Sequence, residues 1–391
     1  MHFNETKYLL IFGGSILQRS LILNAKKMGI ITVVIDPDKD ASERNTSDFF
    51  EVVAGNDFEG TCEVVLKYNI SGVITAATDK PLVMMAKIAE KYNFPFYSVA
   101  TAQMATDKWI MKKIFQDNAI PCAKGIETKE IIPIANYPVI LKPKDNSGSR
   151  GVYYCETAEQ LNTYFEQSKT YTQKDSVIIE EFIPGAEFSV EAIHSENQTT
   201  VIQITEKTTS SFPFNVELSH VAPAVLSKPI IDQINTVILK IATAFNYKFC
   251  VSHTELKVHG NSISIIETSP RLGGDFITSH LVPLSTGVNI ENELIALALG
   301  AKNNMHNINH AAKKIACIQY LDLPGDYLNS EVDVSKIIAK HKLIELSFAL
   351  HKGDRIPKIT NSLDRYGYYI FTVDSVDELI ETKQKISNEF N

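Results

Sequence analysis

The sequence has little of what marks secreted, membrane or nucleic-acid-binding proteins. Its five cysteines stand far apart without a C-x-x-C pair, so neither a disulfide framework nor a zinc site is suggested, and we interpret them as reduced thiols. No apolar run approaches the roughly 18 residues of a membrane span, and the N-terminal residues show no secretory pattern. We therefore expect a cytoplasmic protein without a membrane partner.

Positive charge is also in the minority. The 38 Lys and Arg residues face 46 Asp and Glu residues, which gives a formal net charge of −8. Because no Lys/Arg run is present that could neutralise phosphates in series, we expect small-molecule partners and no nucleic acid. A chain of 391 residues that is 44% hydrophobic predicts a globular protein of two or three domains.

The N-terminal region lacks the glycine fingerprint of dinucleotide binding. An apolar run at residues 8–12 is followed by Gly13-Gly14-Ser15 and an amphipathic helix, but G-x-G-x-x-G is absent, so NAD is not the expected ligand. Predicted strands and helices alternate as far as a strand at residues 96–99. This alternation predicts a doubly wound parallel sheet, and we assign residues 1–105 to this first domain.

The most informative stretch is residues 138–151. An apolar run ends at Lys142 and continues directly into a loop that contains Gly148 and Gly151. A lysine that leaves a strand beside such a loop can hold a polyphosphate, because its charge and the free backbone N–H groups both meet phosphate oxygens. A surface hairpin with a solvated lysine is the alternative. We place a small mobile lid subdomain at about residues 119–185.

A predicted hairpin centred on Asn261 places Glu255 opposite Glu267. Two like charges across a strand pair are destabilising unless a cation lies between them. Magnesium prefers carboxylate and phosphate oxygens and would suit this position. The alternative is that both charges simply face water. Arg271 follows in a glycine-containing turn, from which its guanidinium could grip a carboxylate or a phosphate.

Taken in order, several of these features resemble the ATP-grasp enzymes. They are Lys108 at a helix start, Lys142 before the loop, the stretch Glu180-Glu-Phe-Ile-Pro-Gly-Ala-Glu187, and Glu255 with Glu267. The resemblance covers about residues 5–300. It implies an α/β and α+β protein with an N-terminal doubly wound parallel sheet, an ATP-grasp domain at residues 106–305 with a large antiparallel sheet, and a C-terminal α+β domain at 306–391.

The resemblance also implies how ATP and magnesium would be held. Lys108 and Lys142 would contact the phosphates beneath the loop, Glu180 and its three successors would meet the adenine, and Glu187 the ribose. Glu255 and Glu267 would bind Mg2+, with Mn2+ as the alternative ion. The implied ATP-binding residues are Lys108, Lys142, Ser147, Gly148, Ser149, Gly151, Glu180, Glu181, Phe182, Ile183 and Glu187.

Within this superfamily the chain looks most like the bacterial L-amino-acid (dipeptide) ligases. The similarity lies in Glu206-Lys207, Glu217-Leu-Ser-His220 and Arg271-Leu-Gly-Gly-Asp275. It implies an ATP-dependent carboxylate–amine ligase that forms an amide through an acyl phosphate and releases ADP and phosphate. The implied catalytic residues are Arg271, His220 and Lys142, and the implied substrate-binding residues are Glu217, His220, Arg271, Gly274 and Lys207.

Some alternatives stay open at this point. His220 could be a structural histidine, and Lys207 could be an ordinary lysine at a strand end. Ser269 stands where many ATP-grasp enzymes have asparagine, and a hydroxyl is a poorer magnesium ligand than an amide carbonyl. Rival functions are an ATP-grasp carboxylase or purine-biosynthesis ligase and a non-catalytic nucleotide sensor. Similar ligases are often dimers, so a homodimer is a further expectation.

Overall fold

A computed structural model describes residues 5–146, 148, 150–301 and 314–390. Within these residues, the strands are β1 (Tyr8–Phe12), β2 (Ile31–Asp36), β3 (Phe49–Val52), β4 (Gly72–Ile74), β5 (Gly125–Thr128), β6 (Val139–Pro143), β7 (Tyr153–Cys155), β8 (Val177–Glu181), β9 (Ala186–His194), β10 (Thr199–Thr209), β11 (Glu217–Ala222), β12 (Cys250–His259), β13 (Ser262–Ser269), β14 (Ile315–Tyr320), β15 (Glu345–Phe348) and β16 (Gly367–Val373). The α-helices are α1 (Arg19–Lys27), α2 (Phe58–Tyr68), α3 (Leu82–Tyr92), α4 (Val99–Ala105), α5 (Lys108–Asp117), α6 (Ala158–Lys169), α7 (Lys228–Ala244), α8 (Val282–Thr286), α9 (Ile290–Ala298), α10 (Val334–His341) and α11 (Val376–Ser387).

The first sheet is parallel and has the strand order β3-β2-β1-β4. Successive residues of a strand point to opposite faces. In β1, Leu9 accordingly packs with the side chains of α1 on one face, and Leu10 with those of α2 and α3 on the other. Both faces are therefore covered by helices, which confirms the predicted doubly wound sheet.

Two elements of this region differ from the sequence prediction. Residues 96–99 form no strand, because Ser98 instead caps α4: its hydroxyl accepts a hydrogen bond from the backbone N–H of Thr101. The edge strand β3 was not predicted at all. It has four residues with little alternation in burial, and such a short edge strand leaves a weak pattern in the sequence.

A second sheet, of order β5-β8-β6-β7, carries α6 on one face. Val139 and Leu141 of β6 point into the small core beneath that helix. The alternation of the strand therefore turns Ile140 and Lys142 to the opposite face, where both line a cavity.

The third sheet is antiparallel and has eight strands in the order β13-β12-β9-β10-β11-β14-β16-β15. Its β12–β13 hairpin pairs Glu255 with Glu267, as predicted. The C-terminal strands β14, β15 and β16 extend this same sheet through the pairing of β11 with β14. The predicted combination of a parallel N-terminal sheet and a large antiparallel sheet is confirmed, while the domain boundaries at residues 105 and 305 stay predictions.

No helix in the described part of the chain is both long and apolar enough to cross a membrane.

His194, at the end of β9, is almost completely buried. Its Nδ1 lies 2.9 Å from Thr199 Oγ1 and its Nε2 lies 2.8 Å from Ser252 Oγ. Burial lowers the pKa of His194 to about 3. The unfolded chain, in which a histidine has a pKa of about 6.5, therefore binds a proton that the folded chain refuses, so His194 makes the fold less stable as the pH falls below about 6.5.

We predict that His194→Gln, which keeps polar partners for Thr199 and Ser252, reduces the acid sensitivity of the fold. Between pH 7.5 and pH 5 the wild type should lose about 2 kcal/mol of unfolding free energy through this histidine, and the variant should not. Thermal unfolding midpoints of both proteins at the two pH values measure the difference. Equal pH dependence in the two proteins would contradict the assignment.

Candidate active site

A cavity between the second sheet and the large antiparallel sheet collects most of the residues predicted to bind nucleotide. Its lining includes Lys108, Lys142, Gly148, Glu180, Glu181, Phe182, Ile183, Glu187, Glu217, Glu255 and Glu267. These residues come from both sheets, from α5 and from the loop that follows β6. A shallower depression on the N-terminal region, lined by Phe58, Lys87, Glu90 and Lys91, contains none of them.

The other three residues predicted to bind ATP are Ser147, Ser149 and Gly151. Ser147 and Ser149 lie outside the described residues. Gly148 and Gly151 have positive φ angles of 70° and 77°, a conformation that glycine adopts without strain. Gly151 packs beside the ring of Tyr171 and is not part of the cavity lining.

Glu180 lies between two buried lysines. Its carboxylate is 2.6 Å from Lys142 Nζ and 2.8 Å from Lys112 Nζ. Burial alone would raise the pKa of Glu180, but the charges of Lys142 and Lys112 outweigh it and lower the pKa. Sequence reasoning missed Lys112, although it stands four residues after Lys108 on α5 and therefore on the same helix face, a spacing that could have revealed it.

The two carboxylates predicted to bind magnesium each have a lysine beside them. Lys108 Nζ lies 2.7 Å from Glu267 Oε2, and Lys207 Nζ lies 2.7 Å from Glu255 Oε1. Burial would raise the pKa of Glu255, whereas the charges of Lys207 and His253 hold it well below its usual range. Glu255 is therefore ionised, and both carboxylates face the cavity.

This pair fits a hard divalent cation. The two side chains stand opposite one another in the β12–β13 ladder, and like charges in that position favour a cation between them. Among the described residues, no group of three or more His, Cys, Asp and Glu side chains could hold a metal ion. The opposed pair suits an ion such as Mg2+, which takes few carboxylates from the protein and its other oxygens from phosphate and water.

His253 and Glu191 support Glu255 from inside the sheet. His253 Nδ1 lies 2.6 Å from Glu191 Oε1, and its Nε2 lies 3.3 Å from Glu255 Oε1. Burial would lower the pKa of His253, but the charge of Glu191 raises it to about 9. Sequence reasoning missed both residues, because a histidine in a strand gives no sign of its cross-strand neighbours.

Arg271 contacts the N-terminal region. Its Nε lies 2.9 Å from Asp79 Oδ1, and Ser269 Oγ donates to the same oxygen at 2.5 Å. Burial would raise the pKa of Asp79, but the charge and hydrogen bonds of Arg271 lower it to about 2. Gly274 lies close to Ala77 in the same contact. Asp79 was also missed, although a polar residue soon after a parallel strand marks the edge where such sheets bind ligands.

The remaining predicted substrate residues form one cluster. His220 Nε2 lies 3.2 Å from Asp275 Oδ2, and Lys207 Nζ lies 3.3 Å from Glu217 Oε1. Lys207 and His220 are cross-strand neighbours in the β10–β11 pair. Glu217, Lys207 and His220 therefore lie together at the edge of the cavity, and Glu217 is the member that lines it.

Comparison with known proteins identifies this architecture. Residues 135–279 match the ATP-grasp domain family. The L-amino acid ligase from Bacillus licheniformis has the same fold, with a TM-score of 0.85 and 18% identity, and the match covers 99% of this chain and 98% of that one. Phosphoribosylglycinamide synthetase from Anaerococcus prevotii matches with a TM-score of 0.75 and 23% identity over 99% of each chain. At these identities the likeness shows the fold.

One curated sequence relative is similarly distant from this chain. The carbamoyl phosphate synthase large chain of Thermotoga petrophila is 23% identical over 253 residues, which is 62% of this chain and 23% of that protein. The chain spans less than two thirds of the length of the curated relatives with which it is aligned.

We predict that Glu180→Gln destabilises the fold strongly. The change leaves the charges of Lys112 and Lys142 buried without a counter-charge, which costs about 3–5 kcal/mol for a broken buried pair. Thermal unfolding measures the effect, with Glu166→Gln on the exposed face of α6 as the matched control. A loss below about 1 kcal/mol, or one equal to that of the control, would show that water already screens the three charges.

Proposed function

We propose, from the premise that this chain carries an ATP-grasp domain, that it is an ATP-dependent carboxylate–amine ligase that acts on an amino acid. The observation that carries the proposal is the set of lysine–glutamate pairs around one cavity. Lysines are suited to phosphate oxygens, and carboxylates to a cation. The cavity thus holds both halves of a site for a metal–nucleotide complex.

Nucleotide binding would exchange partners among these pairs. Lys108 and Lys142 would turn from Glu267 and Glu180 to the phosphates of ATP, while the loop around Gly148 covers them. The adenine would lie against residues 180–183, and the ribose hydroxyls would reach Glu187. Because every charge has a partner before and after the exchange, the site avoids the cost of an isolated buried charge.

Glu255 and Glu267 would hold the magnesium ion, and Mn2+ is a second candidate for the same oxygen ligands. When bound, the ion supplies positive charge to the phosphate oxygens. His253 would keep Glu255 turned towards the cavity through its contact at 3.3 Å.

The proposed chemistry activates a poor electrophile. A substrate carboxylate oxygen attacks the γ-phosphorus of ATP, the bond from that phosphorus to the β,γ-bridging oxygen breaks, and ADP leaves. Lys142 and Arg271 would neutralise the charge that builds up on the transferred phosphoryl group. An amine nitrogen then attacks the acyl phosphate, and phosphate leaves as the amide forms. The lid would protect the acyl phosphate from hydrolysis by excluding water.

The substrate residues of the proposal surround this reaction. Arg271 would bind the carboxylate that is phosphorylated, and its pair with Asp79 orients the guanidinium. Glu217 would bind a substrate amino group, with Lys207 beside it. His220 would lie near the acyl intermediate, and Gly274, which has no side chain, would leave room for the substrate to approach. The whole-chain likeness to the L-amino acid ligase supports amino acids as substrates.

We propose that the protein acts in the cytoplasm on small-molecule acids and amines. We also propose that it assembles as a homodimer. All five cysteines are free, which suits a reducing compartment.

The proposal predicts that ADP release depends on an acid and an amine together. Purified protein is tested with MgATP and amino acids singly and in pairs, with bicarbonate, and with neither. Release with amino-acid pairs is the expected result. Release with bicarbonate would instead favour a carboxylase or purine-type ligase, and nucleotide binding without turnover under any condition would favour a sensor.

We predict that Glu267→Gln lowers ATP turnover by roughly 100-fold or more, because charge stabilisation worth several kcal/mol at the phosphates is lost. The Mg2+ concentration needed for half-maximal ADP release should rise, while the unfolding midpoint should fall less than in Glu180→Gln, because Lys108 and Glu267 are partly exposed to water. Glu196→Gln, in the exposed turn after β9, is the control. Near-normal turnover with an unchanged Mg2+ requirement would refute the metal assignment.

A further inference from the structure

Arg365 connects the C-terminal part of the chain to Asp275, the hydrogen-bond partner of His220. Its Nη1 and Nη2 each donate to one oxygen of Asp275 at 2.7 Å, and its guanidinium carbon lies 3.8 Å from the ring centre of Tyr320. Its Nε donates to the backbone oxygen of Ser362 at 2.9 Å. A planar guanidinium that is stacked and bound on all sides is fixed in position.

The segment that carries Arg365 is itself well anchored. Asn361 and Asp364 form reciprocal cap hydrogen bonds around the short helix Ser362–Asp364. Ser362 Oγ also donates to the backbone oxygen of Gly148 in the lid loop at 3.1 Å. The segment 361–365 thus joins the loop around Gly148 to Asp275, the hydrogen-bond partner of His220.

Asp275 transmits this anchoring to His220. Its backbone has a φ of +51°, a left-handed conformation that is uncommon for a residue other than glycine and is maintained by its surroundings. Burial would raise the pKa of Asp275, but hydrogen bonds from His220 and Arg365 hold it well below its usual range. Asp275 is therefore an ionised carboxylate that can only accept hydrogen bonds.

An acceptor-only partner decides the tautomer of His220. Since Asp275 Oδ2 lies 3.2 Å from Nε2, that nitrogen must carry the proton, and in the neutral imidazole the lone pair then lies on Nδ1. His220 is 1% exposed, and its Nδ1 has no hydrogen-bond partner among the described residues. The lone pair on Nδ1 is therefore left free for a further hydrogen-bond donor.

We propose that Arg365 and Asp275 are positioning residues that hold His220 with its proton on Nε2, so that Nδ1 accepts the proton of the attacking amine. This inference rests on the proposed ligase function. As the amine nitrogen bonds to the acyl carbon, its proton passes to Nδ1, the bond from carbon to the phosphate oxygen breaks, and phosphate leaves with the bonding electrons. Asp275 then stabilises the imidazolium.

Two half-reactions separate this role from a structural one. Hydroxylamine traps acyl phosphates without help from a base, so hydroxamate formation reports the first step, and amide formation reports both steps. In Asp275→Asn and Arg365→Gln, amide formation should fall by about 100-fold or more, in the range of general-base catalysis. Hydroxamate formation should stay within about threefold of the wild type. The control is Arg355→Gln, which changes an exposed arginine ten residues earlier in the chain and should affect neither reaction.

The tautomer is measured directly, and independently of turnover. Protein labelled with 15N in its ten histidines gives long-range 1H–15N spectra in which His220 is assigned from the signals lost in His220→Gln. The wild type should show His220 as the Nε2–H form, and Asp275→Asn should lose this preference because an amide can donate as well as accept. Asparagine also tolerates a positive φ, so the backbone is preserved.

Three results have distinct meanings. An Nδ1–H tautomer in the wild type overturns the inference. A parallel fall of both half-reactions with an unchanged tautomer also overturns it and leaves Arg365 and Asp275 structural. A wild type that forms no hydroxamate with any acid contradicts the proposed function and with it the proton transfer, and the spectra then still decide whether Arg365 and Asp275 set the tautomer.

Discussion

Buried and partly buried lysine–carboxylate contacts are the constraint on which the site depends. Glu180, Glu187, Glu217, Glu255 and Glu267 each lie within 3.3 Å of a lysine Nζ. A buried charge that loses its partner costs several kcal/mol, so the two sheets must present lysines and carboxylates to each other in register. The same pairing keeps the cavity electrically balanced, and it supplies cations for phosphates and anions for a metal once the pairs separate.

Strand geometry explains how the lysines and carboxylates of the two sheets come to lie opposite one another. In β6, alternation turns Lys142 away from the small core beneath α6 and into the cavity. In the β12–β13 hairpin, the pairing that follows from the turn sets Glu255 opposite Glu267. Lys207 and His220 face one another across β10 and β11. Local rules of strand and turn therefore place residues from distant parts of the sequence on one surface.

These local rules also mark how far the sequence alone could lead. Three features could be predicted because each follows from a pattern in a window of roughly 11–18 residues. They are the strand before Lys142, the hairpin around Asn261 and the alternating strands and helices of the N-terminal sheet. The partner of Arg271 is Asp79, 192 residues away, and the partner of Asp275 is Arg365, 90 residues away. Such contacts arise only when separate elements pack, so no local pattern announces them.

The C-terminal strands illustrate the same limit. The sequence of β14 to β16 contains no motif, yet these strands extend the large sheet and bring Arg365 to Tyr320 and to Asp275, the partner of His220. The capping box at residues 361–364 is a local sequence signal, but the sequence does not show that it anchors Arg365 beside Asp275. A region without a motif can thus still supply residues to the site.

The central claim is that the lysine–carboxylate pairs of the cavity separate when a metal–nucleotide complex binds. A crystal structure with Mg2+ and a non-hydrolysable ATP analogue tests it most directly. We expect Glu255 and Glu267 on the metal, Lys108 and Lys142 on phosphate oxygens, and the Lys108–Glu267 contact, now 2.7 Å, broken. A nucleotide bound elsewhere, or one bound in this cavity with those pairs intact, would contradict the claim.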